Sequence, residues 1–259
     1  METMRAVRLY DDGLRIEQIP VPKPTAGEAL VRVHAAAITR NELTWPVDRL
    51  PAIPSYELSG VVAEVAPDAR DAVVGDEVFA LTPFDRDGVA AEYAVVPAAL
   101  LAPRPRSLTH TDSAALPLAG LSAWQGLFDH GALREGERVC VLGATGGVGH
   151  LAVQLARAQL AAADEPCDLV FDTVGGDGLA RAARSAPRVV SVAEEADGAR
   201  YFIVEPSRAQ LVELAHLADA GELRPAIDSV FPLEEAVAAF SHLAERGKRG
   251  KVVLRVAND

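Results

Sequence analysis

The sequence predicts an α/β protein in two parts, a compact β-rich part followed by a doubly wound parallel sheet. Three observations predict it. Short runs of alternating hydrophobicity, punctuated by glycine and proline, fill the first hundred residues. An apolar strand leads into a glycine-rich turn and a helix at 138–159. Strands then alternate with helices as far as residue 256.

The first part consists of short strands at close spacing. Alternating or β-branched runs predict strands at 5–10, 29–35, 58–65, 77–81 and 91–96. Few helical stretches lie between these runs. We therefore expect a β-rich, barrel-like domain.

The second part begins after a helix that the spacing of apolar residues predicts over 111–129. Its predicted strands are 138–142, 168–174, 188–193, 201–205, 226–231 and 251–256, and its predicted helices include 150–159, 208–220 and 233–246. This alternation implies βαβ units and a parallel sheet.

Composition excludes several classes of protein. With a net charge of −12 the chain lacks the basic face of a general nucleic-acid or anionic-membrane binder. Its two cysteines, Cys140 and Cys167, lie in apolar runs, so a disulfide scaffold and a cysteine-rich zinc site are excluded. No apolar run approaches the length that spans a bilayer, and no signal core is visible at the start. We expect a cytoplasmic protein with no nucleic-acid and no membrane partner.

The turn after strand 138–142 fits the dinucleotide-binding fingerprint, with alanine at the first glycine position. In this pattern Gly146 lets the backbone approach a pyrophosphate, and Gly149 lets the helix pack closely on the strand. The first-turn amides and the helix dipole attract phosphate. The same residues could form an ordinary strand-to-helix turn, but the flanking elements favour nucleotide binding. The predicted cofactor-binding residues here are Gly143, Ala144, Thr145, Gly146, Gly147, Val148 and Gly149.

Further motifs share an order and spacing that is highly specific in combination. They are MRAV (4–7), PSYELSG (54–60), GDEVF (75–79), AEY (91–93), LAGLSAW (118–124), the 143–149 turn, DTVGG (172–176) and RGKVV (249–253). With them the sequence resembles the medium-chain dehydrogenase/reductase superfamily over almost the whole chain. The resemblance is to its zinc-free quinone oxidoreductase (zeta-crystallin-like) branch.

The resemblance implies a division into two domains. A GroES-like β-rich catalytic domain would span 1–110 and be completed by about 232–259, and a Rossmann-type domain with a doubly wound parallel sheet would span 111–231. It also implies NADPH in the cleft between them and reduction of a quinone or of a carbonyl-activated C=C bond. Homodimers are usual in the family, here through the edge strand at 201–205.

The resemblance also places residues near the cofactor. Ser122 matches a hydroxyl position near the nicotinamide, although a helical serine can simply bond its own backbone. Thr173, Val174 and Gly175 match a segment that touches the nicotinamide ribose. They follow a predicted strand at its carboxyl end, which is the ligand side of a doubly wound sheet.

Zinc members of the superfamily use cysteine and histidine ligands, which the corresponding stretches 39–42 and 55–57 lack. We therefore predict no metal. Without one, the substrate carbonyl must be polarised and a carbon protonated by side chains, for which Tyr56, Thr39 and Glu42 are the catalytic candidates. Tyr56 could instead pack beside the cleft, and Glu42 could be a salt-bridged carboxylate.

The chain departs from the family after the glycine-turn helix. Relatives continue with a second strand, a helix and a third strand, and the second strand ends in the residue that reads the adenosine ribose or its 2′-phosphate. Here only 160–167 precede what resembles family strand four. If the section is deleted, strand one becomes an edge strand and NADPH binding is weak or lost. A direct link to strand four would make a left-handed crossover, which favours the alternative that segments flanking 160–165 are missing from these 259 residues.

Two classes of function therefore stay open. One is an NADPH-dependent oxidoreductase acting on a small quinone or enone. The other is a family member without hydride chemistry, which acts as a cofactor-free cyclase or isomerase or as a non-catalytic binding protein. A true deletion favours the second class, and the intact glycine turn favours the first.

Overall fold

The computed structural model describes residues 2–47, 49–157, 160, 166–245 and 247–258. Within them the chain forms a two-stranded hairpin, a mixed seven-stranded sheet and a parallel four-stranded sheet. The predicted fold class, a GroES-like β-rich domain with a Rossmann-type parallel sheet, is confirmed. No helix in these ranges is long and apolar enough to cross a membrane.

The elements follow one another with short connections. The strands are β1 Thr3–Tyr10, β2 Gly13–Pro20, β3 Glu28–Ile38, β4 Glu57–Val65, β5 Glu77–Leu81, β6 Tyr93–Pro97, β7 Ala102–Pro103, β8 Val139–Leu142, β9 Leu169–Asp172, β10 Val189–Ser191, β11 Arg200–Tyr201, β12 Ile227–Pro232 and β13 Lys251–Arg255. The helices are α1 His110–Ala114, α2 Pro117–Trp124, α3 Gly149–Ala156, α4 Gly176–Ser185, α5 Arg208–Asp219 and α6 Ala236–Ala244.

The seven-stranded sheet pairs the last strand of the chain with a strand of its first part. Its strand order is β12-β13-β3-β4-β5-β7, with β6 paired to β3. The last strand, β13, runs antiparallel to β3, and Val252 lies opposite Ile38. This register brings Lys251 beside Thr39, although 212 positions separate them in the chain.

The four-stranded sheet has the order β11-β10-β9-β8, and every pair is parallel. Successive residues of β9 point to opposite faces. Phe171 packs in a large core with Leu121 of α2 and Leu151 of α3. Val170, on the other face, packs with Leu179 of α4. Helices therefore cover both faces, as expected of a doubly wound sheet.

In the described residues β8 is an edge strand, and its outer side makes a single parallel bridge from Val139 to Leu160. The family's second and third strands have no counterpart in the described sheet. Residues 161–165, which belong to the short 160–167 link, lie outside the described residues. The described sheet therefore lacks the ordinary platform for adenosine.

Three predicted elements differ from those observed, and one observed strand has no predicted counterpart. The helix predicted over 111–129 is helical for most of its length but is divided into α1 and α2, and α2 continues as a π-helical segment, Gln125–His130. It is interrupted after Ala114 because Pro117, which begins α2, has no N–H to continue the ladder. The strand over 201–205 is reduced to β11, and the helix over 150–159 is regular only to Ala156, with residues 158 and 159 outside the described ranges. The hairpin strand β2 was not predicted.

Candidate active site

The predicted glycine turn lies between β8 and α3, as its sequence pattern requires. Gly143 has a φ of +82°, and the Gly146 amide donates to its carbonyl over 2.9 Å. A side chain at Gly149 would overlap the Gly143 carbonyl, so Gly149 permits the close packing of helix on strand. A Cβ at Gly146 would meet only that carbonyl, at 3.3 Å, so this part of the backbone is open to a ligand.

A second turn follows β9 and lies against the first. A Cβ at Gly143 would overlap the side chains of Thr173 and Val174. The buried Asp172 carboxylate holds this turn, because it accepts hydrogen bonds from the Gly175 amide at 3.0 Å and from Ser191 Oγ at 2.8 Å. Val174 is 67% exposed. The structure thus brings the two predicted cofactor segments together at one end of the sheet.

Ser122 lies on α2, which packs against α3. Its hydroxyl is buried and has no hydrogen-bond partner among the described residues. A buried hydroxyl without a partner costs about 1–3 kcal/mol. Ser122 is 0% exposed, so its hydroxyl is left without a described partner inside the packing of α2 and is not open to the surface.

The three catalytic candidates divide into two neighbouring groups. The first surrounds Thr39. Glu42 accepts hydrogen bonds from the amides of Thr39 at 2.7 Å and Ser55 at 3.0 Å, so both of its oxygens are engaged by backbone. Burial raises the pKa of Glu42 to about 8, against the opposing influence of these amides.

Glu57 and Lys251 complete this group. Lys251 Nζ lies 2.5 Å from Glu57 Oε1 and donates to Thr39 Oγ1 at 2.9 Å. The other Glu57 oxygen accepts from the amide of Leu118 at 2.8 Å. Burial raises the pKa of Glu57, and the ammonium of Lys251 opposes the rise. Neither Glu57 nor Lys251 is among the site residues that the sequence predicts.

Tyr56 belongs to the second group, an aromatic cluster with Trp45 and Phe84. The Trp45 and Tyr56 rings are stacked at 6.0 Å, and Phe84 meets Tyr56 edge-on at 5.1 Å. Burial raises the pKa of Tyr56, and the Glu42 carboxylate adds to the rise. Tyr56 is therefore neutral near pH 7 and keeps its phenolic proton.

Comparisons with known proteins identify the two halves of the chain separately. Residues 25–106 match the family described as the alcohol dehydrogenase GroES-like domain, and residues 142–254 match the family described as zinc-binding dehydrogenase. A probable zinc-binding oxidoreductase of Arthroderma benhamiae is 30% identical, over 94% of this chain and 92% of that protein. The chain belongs to the medium-chain dehydrogenase/reductase superfamily, in its quinone-oxidoreductase-like branch.

Two further relatives support the assignment of the chain to the quinone-oxidoreductase-like branch. A 2-methylene-furan-3-one reductase of Solanum lycopersicum is 29% identical, over 94% of this chain and 76% of that protein. The structure of a quinone oxidoreductase from Coxiella burnetii superposes with a TM-score of 0.89 at 25% identity, covering 98% of this chain and 100% of that one. Homologues of the chain are thus oxidoreductases.

The comparison with the Arthroderma protein also shows how much shorter this chain is than its relative. The alignment runs over 307 positions and contains 94% of the 259 residues, about 243 of them, so about 64 positions lack a residue here. This is enough for a strand–helix–strand section, which takes about 30 residues or more. The difference agrees with the two strands missing beside β8.

The site fits a nicotinamide dinucleotide in part. The open backbone at Gly146 and the second turn at Thr173 suit its diphosphate and nicotinamide half. The adenosine half has no counterpart of the usual second strand in the described sheet. No three His, Cys, Asp or Glu side chains converge on a possible metal position in the described ranges.

Proposed function

We propose that the chain is an NADPH-dependent oxidoreductase that reduces a quinone or a carbonyl-activated C=C bond without zinc. The observation that carries the proposal is the pair of turns at the end of β8 and β9, with an open backbone at Gly146 beside Thr173 and Val174. A bound reduced nicotinamide would supply the hydride. The relatives reported above, a quinone oxidoreductase and an enone reductase among them, support the substrate class.

The residues of the chain would bind the cofactor, hold the substrate and donate a proton. The 143–149 turn would hold the diphosphate through the first amides of α3 and the helix dipole. Thr173, Val174 and Gly175 would line the nicotinamide end. Trp45 and Phe84 would form an apolar wall for a planar substrate, and Tyr56, neutral near pH 7, would offer its phenolic proton.

The proposal is tested by NADPH oxidation with 1,4-benzoquinone and with but-3-en-2-one as acceptors. We expect turnover with at least one acceptor, unchanged after exhaustive dialysis against a chelator. Gly146→Val, which fills the open backbone, should lower kcat/KM by at least about tenfold, a loss of 1.4 kcal/mol in transition-state binding. The absence of turnover together with the absence of NADPH binding would contradict the proposal.

The missing strands favour a second candidate, a cofactor-free cyclase or isomerase that uses the same cleft. It would convert its substrate without nucleotide, and Gly146→Val would leave the rate unchanged. Equal product formation with and without NADPH would therefore separate it from the reductase. A non-catalytic binding protein would bind ligand without forming product.

We also propose that the chain forms a homodimer through the outer edge of β11. The edge strand carries Tyr201, 36% exposed, and it is followed by Ile203, 64% exposed. Exposed apolar side chains beside an unpaired edge favour pairing with a second copy. Ile203→Glu should convert the dimer to monomer in multi-angle light scattering, and a wild-type monomer would exclude this interface.

A further inference from the structure

A buried ion pair occupies the centre of the site. The side chains of Lys251 and Glu57 are 5% and 0% exposed. Because two charges lose their hydration on burial, such a pair adds little to stability, and replacement by apolar residues is often neutral. Its presence calls for another role. An ammonium has three donors, of which the described contacts of Lys251 use one on Glu57 and one on Thr39.

The position of Lys251 connects the two halves of the site. Its aliphatic chain crosses the glycine turn, where a Cβ at Gly147 would lie 3.0 Å from Lys251 Cδ. Its ammonium then reaches Thr39 in the first domain. Thr39 is partly exposed, whereas Lys251 and Glu57 are buried. A ligand beside the glycine turn therefore meets the charge of Lys251 through the hydroxyl of Thr39.

The charges of the cluster cancel near pH 7, so no uncompensated carboxylate repels a negative ligand oxygen. Near pH 7 Glu42 carries a proton because burial raises its pKa to about 8. The Glu57 carboxylate is neutralised by Lys251. The hydroxyl of Thr39 also hydrogen-bonds Glu57 and lowers its pKa. A ligand oxygen competes with the Glu57 carboxylate for the hydroxyl hydrogen of Thr39. The ion pair with Lys251 makes that carboxylate a weaker hydrogen-bond acceptor.

We propose that Thr39 and Lys251 form an oxyanion site for the enolate or phenolate oxygen of the substrate. When the hydride of the proposed reaction adds to the β-carbon, the C=C π pair forms a double bond between the α-carbon and the carbonyl carbon. The carbonyl π pair moves onto the oxygen, which becomes the enolate oxygen. Thr39 donates a hydrogen bond to this oxygen and keeps its proton. Lys251 acts as a positioning residue. It donates to Thr39 Oγ1, so the hydroxyl hydrogen has to be given to another acceptor, and it turns from Glu57 to the ligand oxygen when the ligand binds. This assignment rests on the proposed function for the identity of the substrate.

The test uses the full chain without nucleotide and 4-nitrophenol as an oxyanion probe, whose ionised form is read by its absorbance. We expect the bound probe to be ionised at least about tenfold more than the free probe, as charge-assisted hydrogen bonds provide. Thr39→Val, which keeps the shape of the side chain, should abolish this preference, and Thr39→Ser should retain it. Thr44→Val is the matched control, because the Thr44 hydroxyl bonds the carbonyl of Asn41 away from the cluster.

The role of Lys251 is tested by two substitutions made together, because Lys251→Met alone leaves the Glu57 carboxylate buried without its partner. The double variant Lys251→Met with Glu57→Gln removes both charges, and it should fold and lose the preference. The preference in the wild type should also fall as the pH rises through about 8, where Glu42 ionises next to Lys251, Glu57 and Tyr56. Glu42→Gln should remove this fall.

Two results would overturn the oxyanion site. One is a wild type that shows no preference for the ionised probe, including one that does not bind it. The other is full preference in Thr39→Val. Because no nucleotide is present, a chain that binds phenolate but not NADPH contradicts the proposed reductase and leaves the oxyanion site standing.

Discussion

His150 accepts a hydrogen bond at Nε2 from the amide of Ala226 over 2.9 Å. Its Nδ1 lies 2.8 Å from the carbonyl oxygen of Gly146, which can only accept, so Nδ1 carries the hydrogen. The ring is therefore held as the neutral Nδ1–H tautomer. It ties the glycine-turn helix to the segment that leads into β12. Burial lowers the pKa of His150, and the Lys251 charge adds to the effect.

The first prediction follows from this tautomer. Protonation would place an N–H at Nε2 against the N–H of Ala226. The folded-state pKa lies below the ordinary value of 6.5, so the unfolded chain binds the proton more tightly. The contribution of His150 to stability is complete above pH 6.5 and is lost as the pH falls through the folded-state pKa.

We expect His150→Asn to reduce the loss of unfolding free energy between pH 7.5 and 5.5. His216→Asn is the control, since its side chain is exposed, and equal pH slopes in His150→Asn and wild type would contradict the prediction.

The second prediction separates two glycines of one turn. Gly149→Ala places a methyl group on the Gly143 carbonyl and should cost about 1–3 kcal/mol of unfolding free energy. Gly146→Ala has room once its neighbour moves slightly, so it should cost less than about 1 kcal/mol. Urea unfolding of both variants measures the difference. Equal losses of stability would show that Gly149 is not required for packing.

The third prediction concerns the missing wing of the Rossmann sheet. Without the strand that reads the adenosine ribose, the 2′-phosphate has no dedicated partner in the described sheet. NADPH, the proposed reductant, should therefore bind no more than about threefold tighter than NADH, a difference below about 0.7 kcal/mol, and NADH should be able to replace it. Reduced nicotinamide mononucleotide, which lacks adenosine, should bind within about tenfold of both. NADPH that binds more than about thirtyfold tighter than NADH would locate a phosphate partner and contradict the prediction.

The fourth prediction separates the two roles of Tyr56. Tyr56→Phe removes the phenolic proton and keeps the ring between Trp45 and Phe84. If the proton is donated in the reaction, kcat should fall about 100-fold, with a stability change below about 1 kcal/mol. Phe84→Leu is the packing control and should change the melting temperature more than kcat. An unchanged kcat in Tyr56→Phe would limit Tyr56 to packing.

Short sequence patterns predict most of the strands and helices and the cofactor-binding turns of the site. The glycine turn requires only a strand, a tight turn and a helix, all of which lie between residues 138 and 156. Proline at 117 divides a helix that apolar spacing alone would continue. The strand β2 is recognisable from the sequence although our prediction omits it. Leu14 and Ile16 alternate with Arg15 and Glu17 directly after Asp12-Gly13, a recognised hairpin signal.

The ammonium of Lys251 could not be placed from the sequence. It reaches Thr39 only because β13 pairs with β3 across almost the whole length of the chain. A lysine that opens an apolar strand is ordinarily a surface residue. Its burial against Glu57 depends on tertiary register, which local patterning does not contain. The same holds for the cluster of Trp45, Tyr56 and Phe84, which three separate segments supply.

The most direct test of the account is an equilibrium titration with NADPH that follows tryptophan fluorescence of the wild type and of Gly146→Val. The account predicts saturable binding in the wild type and a dissociation constant at least about tenfold higher in Gly146→Val, with little change in melting temperature. A wild type that shows no saturable binding, or a Gly146→Val variant that binds equally well, would contradict the central claim that this turn holds the diphosphate.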